Sequence, residues 1–539
     1  MLNAIVEKII ADRGVTAGER EAFLRPSVAG LAGPGELPGV VEAADVVLAA
    51  VAAGRETVVF GDYDCDGVCA SAILSRTLRA LGGKVSEFLP DRLSEGYGMS
   101  DASVARMLAG HPGVGLVITV DNGINSVSQV AELKRRGISV VVTDHHLCGE
   151  ELPAADALVN PKVAAPPHLS ELCGAGVAFL LANRIMSEAK RRGLYDGPSV
   201  AGPMLVLAGL ATVTDIMPVT GQNRILVAEA LRNFARFAPV GLKELYCRAA
   251  KSARSDISSR DFGFLLGPRI NAAGRMASGM EALELLLCDD REIVRELAYI
   301  IDGRNNERKA VEQKMVDGAM AALVPGAPAQ VICLPDGHPG VAGIVASRVM
   351  ERLGGSVPVC VYAGGHGSAR APAGFNIRDA FVACAGVLER FGGHAAAGGF
   401  LVKEGMTDEF RRLLCEYCQA HPPAPVSAGE KVDVWIEADD VDLSLAEDLR
   451  LLEPYGEGNE EPVFGIRGVY FSDVRPMGSD GRHLSAVLRR SGLRAVKWGA
   501  GDQVEKLRAA SAAPHDITFT VEVSDYRERH AELRLHSVA

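Results

Sequence analysis

Between residues 55 and 145, short apolar runs rich in β-branched side chains, at 57–60, 85–89, 115–120 and 138–143, alternate with stretches of helical periodicity such as 68–81 and 126–136. Strand and helix in that order predict a mainly parallel sheet with helices on both faces. Ahead of it lies a leading helix, then a Gly- and Pro-rich loop at 31–39. Residues 291–323 carry a charge-rich helical pattern without proline, which suits a connector between domains.

A second Gly-rich α/β segment spans 330–404, and Pro422-Pro423-Ala424-Pro425 reads as a linker. Extended runs follow at 463–476, 483–490, 493–500, 517–526 and 531–538, with a helical stretch at 502–512 between the third and fourth. Five strands with a helix in that slot predict an OB-fold β-barrel, a frame that usually binds oligonucleotides or oligosaccharides. The expected organisation is a helical segment at 1–40, a parallel-sheet domain at 41–235, a helical region at 236–325, a second α/β domain at 326–422 and the OB-fold at 423–539.

The length of 539 residues suits several domains, and 48% apolar with 23% charged residues excludes both a single small module and wholesale disorder. The first residues carry charges, and no apolar run reaches the ~18 residues of a spanning helix, so a soluble, cytoplasmic protein without membrane association is expected. Eleven cysteines in such a chain point to reduced thiols. Cys415 and Cys418 form a lone pair that reads as one helix face, not a zinc site. A net charge of -12 argues against coating nucleic acid by bulk electrostatics, yet 431–465 hold two basic and eleven acidic residues and 466–539 twelve basic and nine acidic. The C-terminal end is locally basic.

Three predicted strands run into a carboxylate: Asp62 after Val58-Val59-Phe60-Gly61, Asp121 after Val117-Ile118-Thr119-Val120, and Asp144 after Val140-Val141-Val142-Thr143. In a parallel sheet such ends share one edge, where ligand crevices form. Asp62, Asp64 and Asp66 alternate, so in an extended segment they face one side. Crowded carboxylates share protons or neutralise a cation, and His145 and His146, next to Asp144, shift the preference from calcium toward transition metals. An EF-hand is excluded because its twelfth position falls on Ile73. Asp215 ends the apolar stretch 203–214 at a helix C-terminus, where a carboxylate is unfavourable unless it has a ligand.

Asp144-His145-His146 is the signature triplet of the DHH phosphoesterases, and the chain resembles their RecJ branch of bacterial single-strand-specific DNA exonucleases. Besides the acidic motifs, the resemblance rests on Glu95-Gly96-Tyr97-Gly98, the 267–275 run from Gly267 to Arg275, His338-Pro339-Gly340-Val341, Gly367-Ser368-Ala369-Arg370, Gly392-Gly393-His394 and Pro454-Tyr455-Gly456. It runs from near residue 55 to the C-terminus. Cys65 and Cys69 depart from the family pattern and read as buried packing thiols.

The resemblance implies a DHH-type sheet domain, a DHH-associated second domain and an OB-fold. It implies two Mn²⁺ ions, with Mg²⁺ as substitute, held by Asp64, Asp66, Asp121, His145 and Asp215, with Asp62, Asp144 and His146 as ligands or supports. Asp121 is the candidate bridge, and Asp144 or Asp62 would orient His145. Arg92, Tyr97, Arg275, Ser368 and Arg370 would hold phosphates near a 5′ end, and His394 the scissile phosphate. The implied activity is 5′→3′ digestion of single-stranded DNA to mononucleotides in recombination and repair, by a monomer partnered with a single-strand-binding protein and a helicase. Trp498 and Phe519 are equally stacking platforms or core. Two other readings are a phosphodiesterase for short oligonucleotides, cyclic dinucleotides or pyrophosphate, and a noncatalytic nucleic-acid-binding replication factor.

Overall fold

In the computed structural model of the chain, residues 2–92, 95–96, 98–250, 257–424, 431–524 and 528–539 are described. The first sheet consists of β1 (Glu56–Phe60), β2 (Lys84–Phe88), β3 (Val114–Val120), β4 (Ser139–Thr143) and β5 (Ala157–Val159). All five are parallel, in the order β2-β1-β3-β4-β5. Side chains alternate across it as a two-sided sheet requires. Val59, Leu116, Ile118 and Val120 face one core with helices Val40–Ala52, Cys65–Ala80, Gly174–Arg191 and Ala201–Thr214. Val58, Phe60, Val117 and Val140 face another, with helices Asp101–Gly110 and Val127–Arg135. The strand order reverses between β1 and β3, so the crevice beyond their C-terminal ends is the topological switch point where open α/β sheets take ligands. Asp62 and Asp121 sit there.

The helix Arg291–Ala321 is shared between domains. Its first half, through Val294, Leu297, Ala298 and Ile301, packs into the first core, and its second half, through Met315, Val316 and Ala319, into the core of the next domain. That domain carries β6 (Gln330–Leu334), β7 (Val359–Ala363), β8 (His366–Arg370), β9 (Leu388–Gly393) and β10 (Ala397–Val402), ordered β6-β7-β8-β10-β9, with only β6 and β7 parallel. Cys418 is buried in its core and Cys415 lies at the margin.

The C-terminal sheet has seven strands where the pattern of extended runs predicts five. The run 463–476 divides at Tyr470 into β12 (Phe464–Val469) and β13 (Phe471–Met477), and a short β11 (Val434–Trp435) precedes them. They join β14 (His483–Leu488), β15 (Arg494–Lys497), β16 (His515–Ser524) and β17 (His530–Val538) in the order β11-β12-β16-β17-β15-β14-β13. The helix Val504–Ala510 lies between β15 and β16, as expected. Phe519 is core, whereas Trp498 is 56% exposed. Among the described residues no helix is long and apolar enough to cross a membrane.

The leading helix Ala4–Asp12 does not pack on the domain that follows it in sequence. Val6, Ile9 and Ile10 are buried in the core of the C-terminal sheet, and Asn3 N–H donates to Asp448 at 2.7 Å. Arg224 locks this closure. At 2% exposure it donates to the carbonyls of Phe23, Glu453 and Pro454 at 2.9, 2.9 and 3.2 Å, and it lies over the Phe23 ring at 4.1 Å. One guanidinium thus ties the first domain to both ends of the chain. Pro454-Tyr455-Gly456 and Asn459 belong to the same joint: Asn459 bonds Arg13, Leu452 O and Pro454 O, and Val219 N–H donates to Glu457 O.

Hydrogen bonds from a charged donor contribute about 1.5–3 kcal/mol each, so Arg224→Ala should loosen this joint. Both tryptophans, Trp435 and Trp498, report on the C-terminal domain. Their fluorescence transition in urea should move to lower concentration and separate from the far-ultraviolet dichroism transition. Coincident, unshifted transitions would show that Arg224 does not couple the domains.

Candidate metal centre

The loop after β1 delivers its acids in two different ways. Asp64 caps the helix Cys65–Ala80, and its Oδ1 accepts from Asp66 N–H and Gly67 N–H at 3.0 and 3.1 Å. Asp66 lies in the first helical turn, so the extended alternation expected for Asp62, Asp64 and Asp66 ends at Asp64, although all three carboxylates still bear on Asp121. Gly67 lets the turn close, because a Cβ there would stand 2.5–2.7 Å from the Asp62 backbone. Cys65 and Cys69 are buried beneath it. Asp121, at the end of β3, has a left-handed backbone with φ of 60°, uncommon for a residue other than glycine.

Three groups of donor atoms close enough to hold a cation result: Asp62 with Asp64 and Asp121; Asp66 with His145 and Asp215; and Asp121 with His145 and His146. Asp121 and His145 are each shared by two groups. His145 Nε2 lies 3.1 Å from Asp121, 3.6 Å from Asp66 and 3.7 Å from Asp215. Asp144 stands outside these groups. Its oxygens accept from the N–H groups of Ile124, His145 and His146 at 2.9, 2.7 and 3.1 Å, and His146 Nδ1 lies 2.7 Å away. Of the two roles expected for Asp144, ligand or support, its contacts match the second, and the ring it touches is that of His146, not His145.

The electrostatics fit a cation. Burial, and then the neighbouring carboxylates, hold Asp62 and Asp121 well above the usual carboxylate range. Burial and the charges of Asp66 and Asp64 push Asp215 up to about 8. Burial, outweighing the nearby carboxylates, lowers His145 below the usual imidazole range, which favours the neutral ring a metal needs. For His146 burial opposes charge, but the hydrogen bond to Asp144 and the nearby acids outweigh it and raise the ring to about 9. For Asp144 burial is likewise outweighed, by His146 and backbone N–H groups, and its carboxyl lies below the usual range. Asp62 Oδ1 is buried and has no hydrogen-bond partner among the described residues. Carboxylate and imidazole donors in this number suit Mn²⁺ or Mg²⁺ better than a thiolate-seeking metal.

Beside the acids lies a positive counterpart. Burial and the nearby Arg92 depress Arg275 to about 10 and lower Arg370. Among the described residues none of the three arginines forms an ion pair. Arg275 donates to Gly340 O at 3.1 Å, Arg370 to Ala369 O at 2.8 Å, and Arg92 lies 5.0 Å over the Tyr63 ring. Ser368 is on β8 with Arg370. His394 is exposed at the β9–β10 turn, and no hydrogen bond or ion pair joins it to the acids among the described residues. Tyr97 lies outside the described residues. Residues that the sequence did not single out also shape the site. Asn122 donates to Phe60 O and Val120 O at 3.2 and 2.9 Å, bracing the ends of β1 and β3, and Asn271 Oδ1 accepts from Cys65 N–H at 2.7 Å. Asn122 sat beside a singled-out acid, and Asn271 within a quoted motif.

Comparison with known proteins places these parts in a family. Residues 56–206 match the DHH family N-terminal domain, 326–420 the DHHA1 domain and 432–536 the RecJ OB domain. The chain is 34% identical over 560 residues to the single-stranded-DNA-specific exonuclease RecJ of Dickeya dadantii, covering 98% of this chain and 95% of that one. It is similar to the crystal structure of RecJ in complex with Mn²⁺ from Thermus thermophilus, at 33% identity and a TM-score of 0.82, covering 99% of this chain and 75% of that one. The Mg²⁺ complex from the same organism matches at 31% identity and a TM-score of 0.75, covering 98% and 74%.

Groups that bind more protons folded than unfolded make stability fall as pH rises. Asp215, raised to about 8, costs stability progressively above pH 4, and the favourable charge on His146, raised to about 9, is complete below about pH 6.5 and lost as pH rises through 9. In chelator, the melting temperature should therefore fall between pH 5 and 9, and Mn²⁺ should stabilise more strongly as pH rises. A melting temperature that climbs over this range in chelator would contradict the crowding.

Proposed function

This chain belongs to the RecJ family of single-stranded-DNA-specific exonucleases, and from that premise we propose that it removes mononucleotides from the 5′ end of single-stranded DNA with two divalent cations, in repair and recombination. The observation that supports this most directly is the pairing of two opposite sites. Three cation-ready groups are linked through Asp121 and His145, and the three arginines that form no ion pair among the described residues include Arg275, which lies within electrostatic reach of Asp64. An end phosphate held by the arginines leaves the next phosphodiester toward the acids, so cleavage starts from a terminus.

Asp62, Asp64, Asp66, Asp121, His145 and Asp215 would hold Mn²⁺ or Mg²⁺, with Asp121 the shared carboxylate. Bound there, a cation pair supplies Lewis acidity for in-line attack of water on phosphorus and neutralises the charge that builds on the phosphoryl oxygens. The chain's own residues orient and hold. Arg92, Arg275, Arg370 and Ser368 fix the terminal phosphate through charge-assisted hydrogen bonds. Asp144 turns His146 so that its Nε2 is left to donate a proton to a phosphoryl oxygen. His394 approaches the scissile phosphate from the second domain. Trp498, 56% exposed among basic neighbours such as Lys497 and Arg534, offers the incoming strand a stacking surface.

With Mn²⁺ and a 5′-labelled long single strand, a duplex, a dinucleotide and pyrophosphate, mononucleotide release from the long strand alone is expected. Preference for the dinucleotide or pyrophosphate would favour a small-substrate phosphodiesterase, and no turnover of anything a noncatalytic nucleic-acid-binding role. Asp121→Ala should abolish hydrolysis with strand binding largely kept, and full activity in that variant would refute the site. Arg370→Ala should weaken substrate capture, read as a raised KM, and flatten the salt dependence of binding by about one phosphate contact.

A further inference from the structure

Asp66 is held by an element outside every motif named above. The helix Gly174–Arg191 begins beside it, and the Gly174 N–H donates to Asp66 Oδ2 at 2.6 Å while the Ala175 N–H donates to Oδ1 at 2.7 Å. These are the first two N–H groups of the helix, which it does not need for its own ladder, and they lie at the positive end of its dipole. The helix has its own cap in Cys173, whose Sγ accepts from Gly176 N–H at 3.4 Å, so Asp66 is not required as one. Residue 174 also sits against a second candidate ligand. A Cβ there would stand 2.6 Å from Asp121 Cβ, 2.9 Å from its Oδ1 and 3.0 Å from its Cα, so only glycine lets the helix start this close.

We propose that the first turn of the helix Gly174–Arg191 is a positioning element for the cation site, in which the Gly174 and Ala175 N–H groups fix the plane of the Asp66 carboxylate and aim its remaining lone pairs at the cation. The proposal rests on Asp66 being a ligand. Each oxygen gives one acceptor direction to the backbone, the Cys173 thiol also reaches the carboxylate, and the lone pairs left over face the site. A carboxylate pinned at both oxygens cannot swing to a wide bidentate grip, which favours a small cation of strict octahedral geometry over Ca²⁺, whose longer bonds need flexible ligands. Sequence motifs pass over this device because backbone N–H groups do the holding. The only trace is a small-residue run, Gly174-Ala175-Gly176, opening an apolar helix.

Ala175→Pro removes one of the two N–H groups at a place where a helix tolerates proline. On the full chain, Mn²⁺ calorimetry and Mn²⁺ paramagnetic resonance should show affinity weakened about 10–100-fold, with Ca²⁺ affinity changed less. The kcat for single-stranded DNA should fall at unchanged KM, and high Mn²⁺ should restore part of it. Asp66→Ala, measured alongside, should lose the same cation without rescue. Should Asp66→Ala bind Mn²⁺ as the parent does, the ligand assignment fails and takes this proposal with it. If Asp66→Ala loses the cation while Ala175→Pro stays within about twofold of the parent, the assignment stands and the positioning role is overturned. If Ala175→Pro does not fold, hydrogen exchange of the parent decides. The amides at 174 and 175 should exchange more slowly once Mn²⁺ fixes Asp66, and unchanged exchange would overturn the proposal.

Discussion

Buried carboxylates that repel one another are the constraint around which this molecule is organised. Asp62, Asp66 and Asp121 are almost without solvent, and Asp215 is partly buried at the rim, so charge on the first three is not relieved by water. A protein without a use for these acids would replace them. Here the surrounding backbone is arranged to keep them: Asp64 caps a helix, Asp144 collects three N–H groups, Asp66 takes two more, and Asp121 adopts a left-handed backbone. The local geometry makes sense once positive charge is added at the centre.

That centre is built from one sheet edge but completed by distant elements. Asp62 and Asp121 come from the switch point of the parallel sheet, His145 and His146 from the end of β4, and Asp215 from the end of the helix Ala201–Thr214. Arg275 and Arg370 arrive from the helical region and the second domain, held in relation to the acids by a helix whose two halves are buried in two cores. The residue after Asp215 shows the cost of such assembly. Ile216 is β-branched, 72% exposed and at a φ of 57°, a strained combination beside a candidate ligand. Phe264, 74% exposed, borders the same groove as Ile216 and Trp498.

The closure of the chain on itself is a second organising feature. The leading helix would be a solvent-exposed amphipathic segment if it stayed with its sequence neighbours. Instead Val6, Ile9 and Ile10 complete the core of the C-terminal sheet, and Arg224 satisfies three carbonyls around the seam. A motif such as Pro454-Tyr455-Gly456, which the sequence groups with functional ones, is part of this joint and far less a matter of chemistry than of holding the domains together.

How much was legible follows from what is local. Periodicity places β1 to β4 and the connecting helix within a residue or two, because alternation and apolar runs are written in neighbouring residues, whereas in the last domain it merges β12 with β13, overruns β15 and passes over β11. Acids at strand ends point to a common edge, because parallel strands leave no other place for them. By itself, then, the sequence determined the α/β order, the metal-seeking chemistry and the family to which that chemistry belongs. The tertiary structure alone decided that Asp66 stands in the first turn of a helix, that Asp144 serves His146, that residues 4–12 belong to the far end of the chain, and that the N–H groups of Gly174 and Ala175 meet a carboxylate over a hundred residues away. The last two outcomes depend on hydrogen bonds and packing between segments remote in sequence, where side-chain type carries no record of the partner, and the first two on a helix cap and a ring contact whose backbone geometry the pattern does not show.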